Sequence, residues 1–255
     1  MHLLETRNLT VRFGGVTAID NLSLTVGEGE IRGLIGPNGA GKTTFFNAVS
    51  GRYPSSGEIR VRDHVVSGLK PNEIVAQGLA RTFQHVTLFK SFSVLKNVMA
   101  GCHLRSGYSF WGALLGTPRT RQNEADNERR AREILDFVGL GGLADETAAN
   151  LPHGLQRAVG IAVALASEPQ MLMLDEPCAG MNTAETRSMS DLIRRIRGNG
   201  TSIILIEHDM KVIMGICDQI TVLNFGTKIA EGSPEEILRN TAVHKAYLGS
   251  AADAS

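Results

Sequence analysis

The sequence predicts an α/β fold with a parallel-sheet core, an antiparallel β subdomain at the N-terminal end and an inserted helical subdomain. Residues 9–13 and 18–26 are short strand-like stretches separated by glycines, which is typical of antiparallel strands joined by turns. Residues 171–174 and 203–206 are uninterrupted apolar runs, as expected of parallel strands that are buried on both faces. Residues 94–160, which lie between these two regions, have a mostly helical pattern.

The remaining elements follow in chain order. Residues 33–35 predict a short buried strand, and residues 45–49 predict a helix after it. A turn of proline, serine and glycine precedes a strand at residues 57–61. Ser233 and Pro234 begin the C-terminal helices, because proline is tolerated in a first helical turn. We expect one domain over residues 1–250, with the core at about 1–90 and 160–232, the helical insertion at about 91–160 and the C-terminal helices at about 233–250.

The composition excludes several classes of protein. Of the 255 residues, 42% are hydrophobic and 20% are charged, and the formal net charge is zero. This balance is ordinary for a globular protein and differs from the basic excess of a nucleic-acid-binding surface. Three scattered cysteines indicate a reducing compartment rather than a disulfide framework. Early charged residues argue against a secretory signal, and no run of 18 or more apolar residues predicts a membrane span. Any work at a membrane would therefore need a partner.

Residues 36–44 form a phosphate-binding motif between a predicted strand and a predicted helix. The pattern G-x-x-x-x-G-K-[ST] is filled by Gly36, Gly41, Lys42 and Thr43. Lys42 is expected to reach the β- and γ-phosphates, and the Thr43 hydroxyl is expected to ligate Mg²⁺. An ordinary glycine-rich junction is the alternative, but it does not explain Lys42 and Thr43 at this spacing. The motif predicts nucleoside triphosphate binding by Gly36, Pro37, Asn38, Gly39, Ala40, Gly41, Lys42, Thr43 and Thr44.

Polar residues end the two apolar runs that predict parallel strands. Asp175 ends one run, where it can hold Mg²⁺ through water, and Glu176 can polarise an attacking water. His208 follows the other run and comes within expected reach of the γ-phosphate. Alone, an Asp-Glu pair or a lone histidine usually marks only a solvated strand end. After a phosphate loop, at the edge of a parallel sheet where ligands bind, the functional interpretation is favoured.

Two further residues are open to two interpretations each. Gln84 can reach Mg²⁺ or the attacking water, but taken alone it is a loop residue without a role. Phe13 presents an aromatic face that could stack on adenine, a contact of roughly 1–3 kcal/mol. Core packing explains Phe13 equally well.

The order and spacing of these motifs resemble those of an ABC-type ATPase subunit, over essentially the whole chain. The resemblance is strongest to the larger of the two ATP-binding subunits of branched-chain amino acid importers. The resemblance implies that Phe13 stacks on adenine and that Val16 also belongs to the nucleotide-binding residues. It further implies that Gln84 is the Q-loop glutamine, that Glu176 is the catalytic base and that His208 is the switch histidine. The matching segments are residues 12–15, 36–44, 46–47, 81–85, 110–111, 117–118, 174–177, 179–182, 206–210 and 246–249.

Two positions depart from the pattern of this family. Its signature loop usually reads Leu-Ser-Gly-Gly-Gln, whereas this chain has Leu151, Pro152, His153 and Gly154, which the resemblance places against ATP. Pro152 lacks the hydroxyl and the backbone N–H of the usual serine. The aspartate of the D-loop is replaced by the neutral Asn182. Both changes bear on hydrolysis rather than on nucleotide binding.

The resemblance implies an ATP-binding and ATP-hydrolysing subunit of an importer, with ATP and Mg²⁺ as cofactors. Its partners would be a second ABC ATPase subunit, in a heterodimer or a homodimer, two membrane permease subunits and, indirectly, a solute-binding protein. Nucleic acid is not an expected partner. The expected location is the cytoplasmic face of the inner membrane, as a peripheral subunit. Phe89, Phe92, Val94 and Leu95 are expected to dock a membrane subunit, with at least two of the four in the core.

Three alternatives remain at this point. The ATPase could serve another solute, through urea or amide uptake or through lipid or lipopolysaccharide export. It could be a weakly hydrolysing, nucleotide-gated regulatory subunit, which the altered signature at Pro152 keeps open. A soluble ABC protein of nucleic-acid metabolism is less favoured, since such proteins tend to carry paired cassettes or long insertions.

Overall fold

The computed structural model describes residues 2–82, 88–102 and 118–252. The chain divides into two compact units, Met1–Arg81 with Gln170–Ser255, and Thr82–Pro169. In chain order the strands are β1 His2–Phe13, β2 Val16–Gly27, β3 Ile31–Ile35, β4 Ser56–Val61, β5 His64–Val65, β6 Leu79–Arg81, β7 Met171–Asp175, β8 Ser202–Ile206, β9 Gln219–Asn224 and β10 Thr227–Gly232.

The helices take up most of the remaining described chain. No helix among the described residues is both long enough and apolar enough to cross a membrane. The α-helices are α1 Lys42–Val49, α2 Pro71–Ala76, α3 Val94–Cys102, α4 Pro118–Val138, α5 His153–Leu165, α6 Thr183–Gly198, α7 Met210–Ile216, α8 Pro234–Leu238 and α9 Thr241–Ala252, and short 3₁₀ turns occupy Gly141–Leu143 and Ala148–Asn150.

The first unit contains two sheets. An antiparallel sheet has the strand order β2-β1-β4-β5, and a second sheet has the order β10-β9-β3-β8-β7-β6. In the second sheet β3, β6, β7, β8 and β9 run parallel, while β10 pairs antiparallel with β9 at the edge. Phe45 and Phe46 of α1 are fully buried in a core shared with both sheets. The core therefore closes around the helix that follows the phosphate-binding motif.

The parallel strands are largely apolar, which explains their burial, although β3 contains Arg32, β7 ends at Asp175 and β8 begins at Ser202. All five residues of β3, of β7 and of β8 are buried. Asp175 at the end of β7 pairs with Ile206 at the end of β8, so the chain leaves both strands at the same edge of the sheet. Ser233 caps α8 by accepting from the backbone N–H of Glu236, and Pro234 occupies the first turn. The predicted parallel-sheet core and the predicted start of the C-terminal helices are confirmed.

Several elements were not predicted from the sequence, among them three strands of the second sheet. The edge strand β6 is only three residues long, and β9 and β10 form a hairpin whose turn contains Phe225 and Gly226. The N-terminal strands β1 and β2 are also longer than the predicted stretches, at 12 residues each. The pairing register of β1 with β2 shifts at several points, and these shifts interrupt the simple alternation that sequence patterns reveal.

The second unit is helical in its described part. Val94 and Leu95 at the start of α3 are buried, whereas Phe89 and Phe92 are exposed and stack on each other with ring centroids 5.1 Å apart. Two of the four residues expected at a docking surface thus belong to the core. The exposed pair, Phe89 and Phe92, remains available for a partner, which stays a prediction.

Candidate nucleotide-binding site

The phosphate-binding loop connects β3 to α1 and depends on glycine at two positions. Gly36 has φ 151° and Gly41 has φ 101°, which L side chains rarely adopt. A Cβ atom at Gly36 would lie 2.1 Å from the carbonyl oxygen of Leu223, and one at Gly41 would lie 2.7 Å from Cδ1 of Ile19. The loop therefore packs against neighbouring backbone so closely that only glycine fits.

We expect Gly36→Ala to lower both thermal stability and nucleotide affinity, because the loop must move away from Leu223 to admit a methyl group. The expected cost is about 1–3 kcal/mol of backbone strain and displacement. Gly39→Ala is the matched control, since Gly39 also has positive φ but its Cβ would meet nothing within 4 Å. Denaturant unfolding and ATP titration of both variants would test this. Equal losses in the two variants would contradict the packing argument.

Lys42 is held inside the loop. It is buried, and its Nζ donates to the carbonyl oxygens of Gly36 at 2.6 Å and Pro37 at 3.0 Å. Burial lowers the pKa of Lys42, while the charges of Glu176 and Asp175 act in the opposite direction. Helix α1 begins at Lys42, and no described side chain caps its first turn. The first amide N–H groups of a helix have no intrahelical partner, so this turn offers donors to an anion.

The loop lines a cavity of about 310 Å³, which is in the usual size range of small-molecule sites. Ala18 was missed by the sequence analysis, since nothing in the pattern of β2 indicates a binding residue. The turn that contains Gly226 holds the loop in place, because the N–H of Gly226 donates to the carbonyl oxygen of Ala40 at 3.0 Å. The lining residues are Ala18, Asn38, Gly39, Ala40, Gly41, Lys42, Thr43, Thr44, Glu176 and His208.

Glu176 and His208 meet in this cavity. Oε1 of Glu176 lies 2.7 Å from Nε2 of His208, and the side chain of Glu176 is much less exposed, at 16% against 51%. Glu176 has φ 50°, a left-handed conformation that is uncommon for residues other than glycine. Its N–H donates to the carbonyl of Ile206 at 2.9 Å, which joins the two strand ends. The sequence placed both residues at one sheet edge, and the structure brings their side chains into direct contact.

Asp175 is buried and paired. Its Oδ2 accepts from Nη2 of Arg81 at 2.8 Å, and its Oδ1 has no hydrogen-bond partner among the described residues. Arg81 also donates to Oδ1 of Asn47 at 2.7 Å, and its guanidinium lies 5.3 Å from the ring centre of Phe46. Burial raises the pKa of Asp175, and the Arg81 charge opposes that rise. No sequence pattern indicated a role for Arg81, because its partner is 94 residues away.

Phe13 and Val16 flank the turn between β1 and β2. Both side chains are exposed, Phe13 at 45% and Val16 at 66%. Phe13 contacts Tyr53 edge to face, with ring centroids 5.0 Å apart. Core packing therefore does not explain Phe13, and its role in adenine stacking stays a prediction. Gln84, the predicted Q-loop residue, lies outside the described residues.

Comparisons with known proteins identify the family of this chain. A family model described as ABC transporter matches residues 19–179. The high-affinity branched-chain amino acid transport ATP-binding protein LivG of Salmonella typhimurium is 45% identical over 98% of both chains. The corresponding protein BraF of Pseudomonas aeruginosa is 41% identical, also over 98% of both chains. This chain belongs to the ABC transporter ATP-binding cassette family.

Two further matches bear on the cassette. A model described as branched-chain amino acid ATP-binding cassette transporter matches residues 227–253. The solved ADP conformation of an ATP-binding cassette of an ABC transporter has a TM-score of 0.84 and 28% identity, covering 98% of this chain and 99% of that one. The predicted fold, an ABC ATPase with an antiparallel β subdomain and a helical insertion, is confirmed.

The altered signature of the cassette lies in the second unit. Pro152 precedes the helix α5 as its N-cap, with φ −53° and ψ 150°, so it stands just before the first turn rather than within it. Gln156 stabilises this start, since its N–H donates to the carbonyl of Pro152 at 3.0 Å and its Nε2 to that of Leu151 at 2.8 Å. Pro152 and His153 are exposed, and Gly154 is half-buried. Proline is thus compatible with the helix start. What it lacks, compared with the usual serine of the family, is the hydroxyl and the backbone N–H as hydrogen-bond donors.

Asn182 of the cassette has a structural role that the sequence analysis missed. Its Oδ1 accepts from the N–H groups of Ala184 at 2.9 Å and Glu185 at 3.0 Å. Glu185 completes a capping box at the start of α6 by accepting from the N–H of Asn182. The spacing of Asn182 and Glu185 was the available signal.

Proposed function

We propose that this chain is the ATP-binding and ATP-hydrolysing subunit of an importer for branched-chain amino acids. The contact between Glu176 and His208, at the mouth of the loop that holds Lys42, is the observation that supports hydrolysis most directly. The solute class is supported by the similarity to LivG and BraF over nearly the whole chain and by the match at residues 227–253.

The geometry supports a division of labour in ATP hydrolysis. Lys42 and the free amide N–H groups at the start of α1 bind the phosphate charge. Glu176 lies at the cavity wall, where its carboxylate can accept a proton from an attacking water. His208 holds the Glu176 carboxylate in one orientation by their 2.7 Å contact. Gln84 is proposed to couple the presence of the nucleotide to the helical unit.

The residues fit a Mg²⁺ ion bound together with ATP. The Thr43 side chain is exposed in the cavity, and Oδ1 of Asp175 lacks a partner among the described groups. Hydroxyl and carboxylate oxygens are ligands that Mg²⁺ prefers. When bound, the ion neutralises charge that develops on the phosphates.

The proposed assembly contains a second ABC ATPase subunit, two membrane permease subunits and, indirectly, a solute-binding protein. The exposed Pro152 and His153 would face the nucleotide of the second ATPase subunit. A heterodimer is favoured over a homodimer, because a partner with an intact signature serine would supply, to the nucleotide bound by this chain, the donors that a second copy with Pro152 would lack. The subunit would lie at the cytoplasmic face of the inner membrane, bound to the permeases.

We expect Lys42→Ala to lower ATP affinity roughly 10- to 100-fold, because a hydrogen bond to a charged group contributes about 1.5–3 kcal/mol. Lys245→Ala, which removes an exposed lysine of α9, is the control and should leave affinity unchanged. The complex purified from its host and placed in vesicles should show ATP-driven leucine uptake that Lys42→Ala abolishes.

The same vesicles separate the alternatives. Uptake of urea or short amides without leucine uptake, or extraction of lipopolysaccharide, would overturn the proposed solute. ATP binding with negligible hydrolysis in the complete complex would favour the nucleotide-gated regulatory subunit instead.

A further inference from the structure

Glu207 lies between the last residue of β8 and His208, and its side chain is buried, at 4% exposure. Its two carboxylate oxygens accept from backbone N–H groups of different segments. Oε1 accepts from Cys178 at 2.6 Å, and Oε2 accepts from His208 at 3.1 Å. One carboxylate therefore joins the segment after β7 to the segment after β8.

These two segments carry the pair that lines the cavity. Glu176 is two residues before Cys178, and His208 is the residue whose N–H Glu207 accepts. The strand ends are already joined by the bond from the Glu176 N–H to Ile206. The bond from the N–H of Cys178 to Glu207 is a second connection between the same two segments, and it restricts their movement relative to each other. The 2.7 Å contact of Glu176 and His208 lies between the same two segments.

The buried position of Glu207 makes the charged form of its carboxylate unfavourable for stability. No described cation forms an ion pair with it, and the nearby Glu176 carries a like charge. Burial accordingly raises the pKa of Glu207. A buried carboxylate held by hydrogen bonds from Cys178 and His208, without an ion pair among the described residues, costs stability, and an apolar residue would fill the same strand end without that cost. Because this carboxylate joins the two segments that carry Glu176 and His208, its position points to a role in the site.

We propose that Glu207 is a positioning residue for ATP hydrolysis, which holds Glu176 and His208 in register by bonding the backbone of both segments. This inference rests on the proposed roles of Glu176 and His208. Glutamine is the informative replacement, because its amide oxygen can accept one N–H while its NH₂ group meets the other donor. One of the two connections is then lost with almost no change in volume.

The test measures kcat and KM for ATP in the assembled complex with Glu207→Gln. The kcat is expected to fall roughly 10- to 100-fold, in line with one lost hydrogen bond to a charged group, while KM changes less than about twofold. The matched control is Asp218→Asn, since Asp218 also accepts from a backbone N–H, that of Ile31 at 2.8 Å, at the opposite end of the sheet. That variant should keep the kcat, even where it lowers the melting temperature as much as Glu207→Gln does.

A double-mutant comparison distinguishes positioning from mere stability. If Glu207 acts through His208, adding Glu207→Gln to His208→Ala should cause no further loss of kcat. An equal kcat loss in both backgrounds, or a kcat of Glu207→Gln equal to that of Asp218→Asn, would overturn the proposal. Should Glu207→Gln fail to fold, Glu207→Asp carries the test, because its shorter side chain cannot reach both N–H groups. If Glu176→Gln and His208→Ala themselves keep full activity, the proposed roles of Glu176 and His208 are overturned instead.

Discussion

Glu176→Gln is expected to lower the ATPase rate of the assembled complex by about 10²–10⁴-fold, the usual contribution of a general base, while ATP binding persists. Glutamine has the same shape and its amide oxygen can still face Nε2 of His208, so the cavity should keep its form. What is lost is the capacity to take a proton from water. Lys42 and the loop amides, which bind the phosphates, are untouched.

ATP binding and single-turnover hydrolysis should be measured side by side on Glu176→Gln. Glu235→Gln is the control, because Glu235 is an exposed glutamate in the first turn of α8 and its neutralisation should leave the rate unchanged. Hydrolysis by Glu176→Gln at the unmutated rate would show that the base is another group. Parallel loss of binding and rate would show that Glu176 shapes the cavity instead.

Arg81→Met is expected to lower the free energy of unfolding by about 3–5 kcal/mol, the usual cost of leaving one partner of a buried ion pair uncompensated. The side chains of Arg81 and Asp175 are 6% and 1% exposed, so the abandoned carboxylate has little access to water. The substitution also removes the bond to Asn47 and the contact with the ring of Phe46. Methionine fills a similar volume, so the loss reports on charge and hydrogen bonding.

Urea unfolding of Arg81→Met should be compared with Arg60→Met. Arg60 pairs with Glu58 at 2.6 Å, but these side chains are 34% and 35% exposed, so solvent screens their pair and its loss should destabilise the protein much less than the loss of the buried pair. The double variant with Asp175→Asn should be less destabilised than the sum of its single variants, because the uncompensated charge is gone. Similar losses for Arg81→Met and Arg60→Met would contradict the argument from burial.

Much of the site could be predicted from the sequence because its signals are local. The loop at residues 36–44 encodes its own geometry through Gly36 and Gly41, whose backbone only glycine adopts. The ends of the apolar runs in β7 and β8 likewise predict where polar residues lie at the edge of the sheet. Glu176 and His208 were assigned on that ground, and the structure places both in one cavity.

Other parts depend on partners that are distant in the sequence. Arg81 is paired with Asp175 across 94 residues, and Glu207 with Cys178 across 29 residues. Neither pairing leaves a periodic pattern, since each is one contact between ends of different elements. Ala18 entered the cavity lining in the same way, because the packing of β2 beside the loop is a tertiary event.

The sequence by itself determined the phosphate loop, the buried parallel strands and the edge at which the polar residues emerge. These follow from the conformational freedom of glycine and from apolar burial, which act between near neighbours. Only the tertiary structure decided that Phe13 is exposed and that Glu207 joins two segments. Those outcomes depend on which strands lie side by side, and the order β8-β7 in the sheet is set by packing of the whole core.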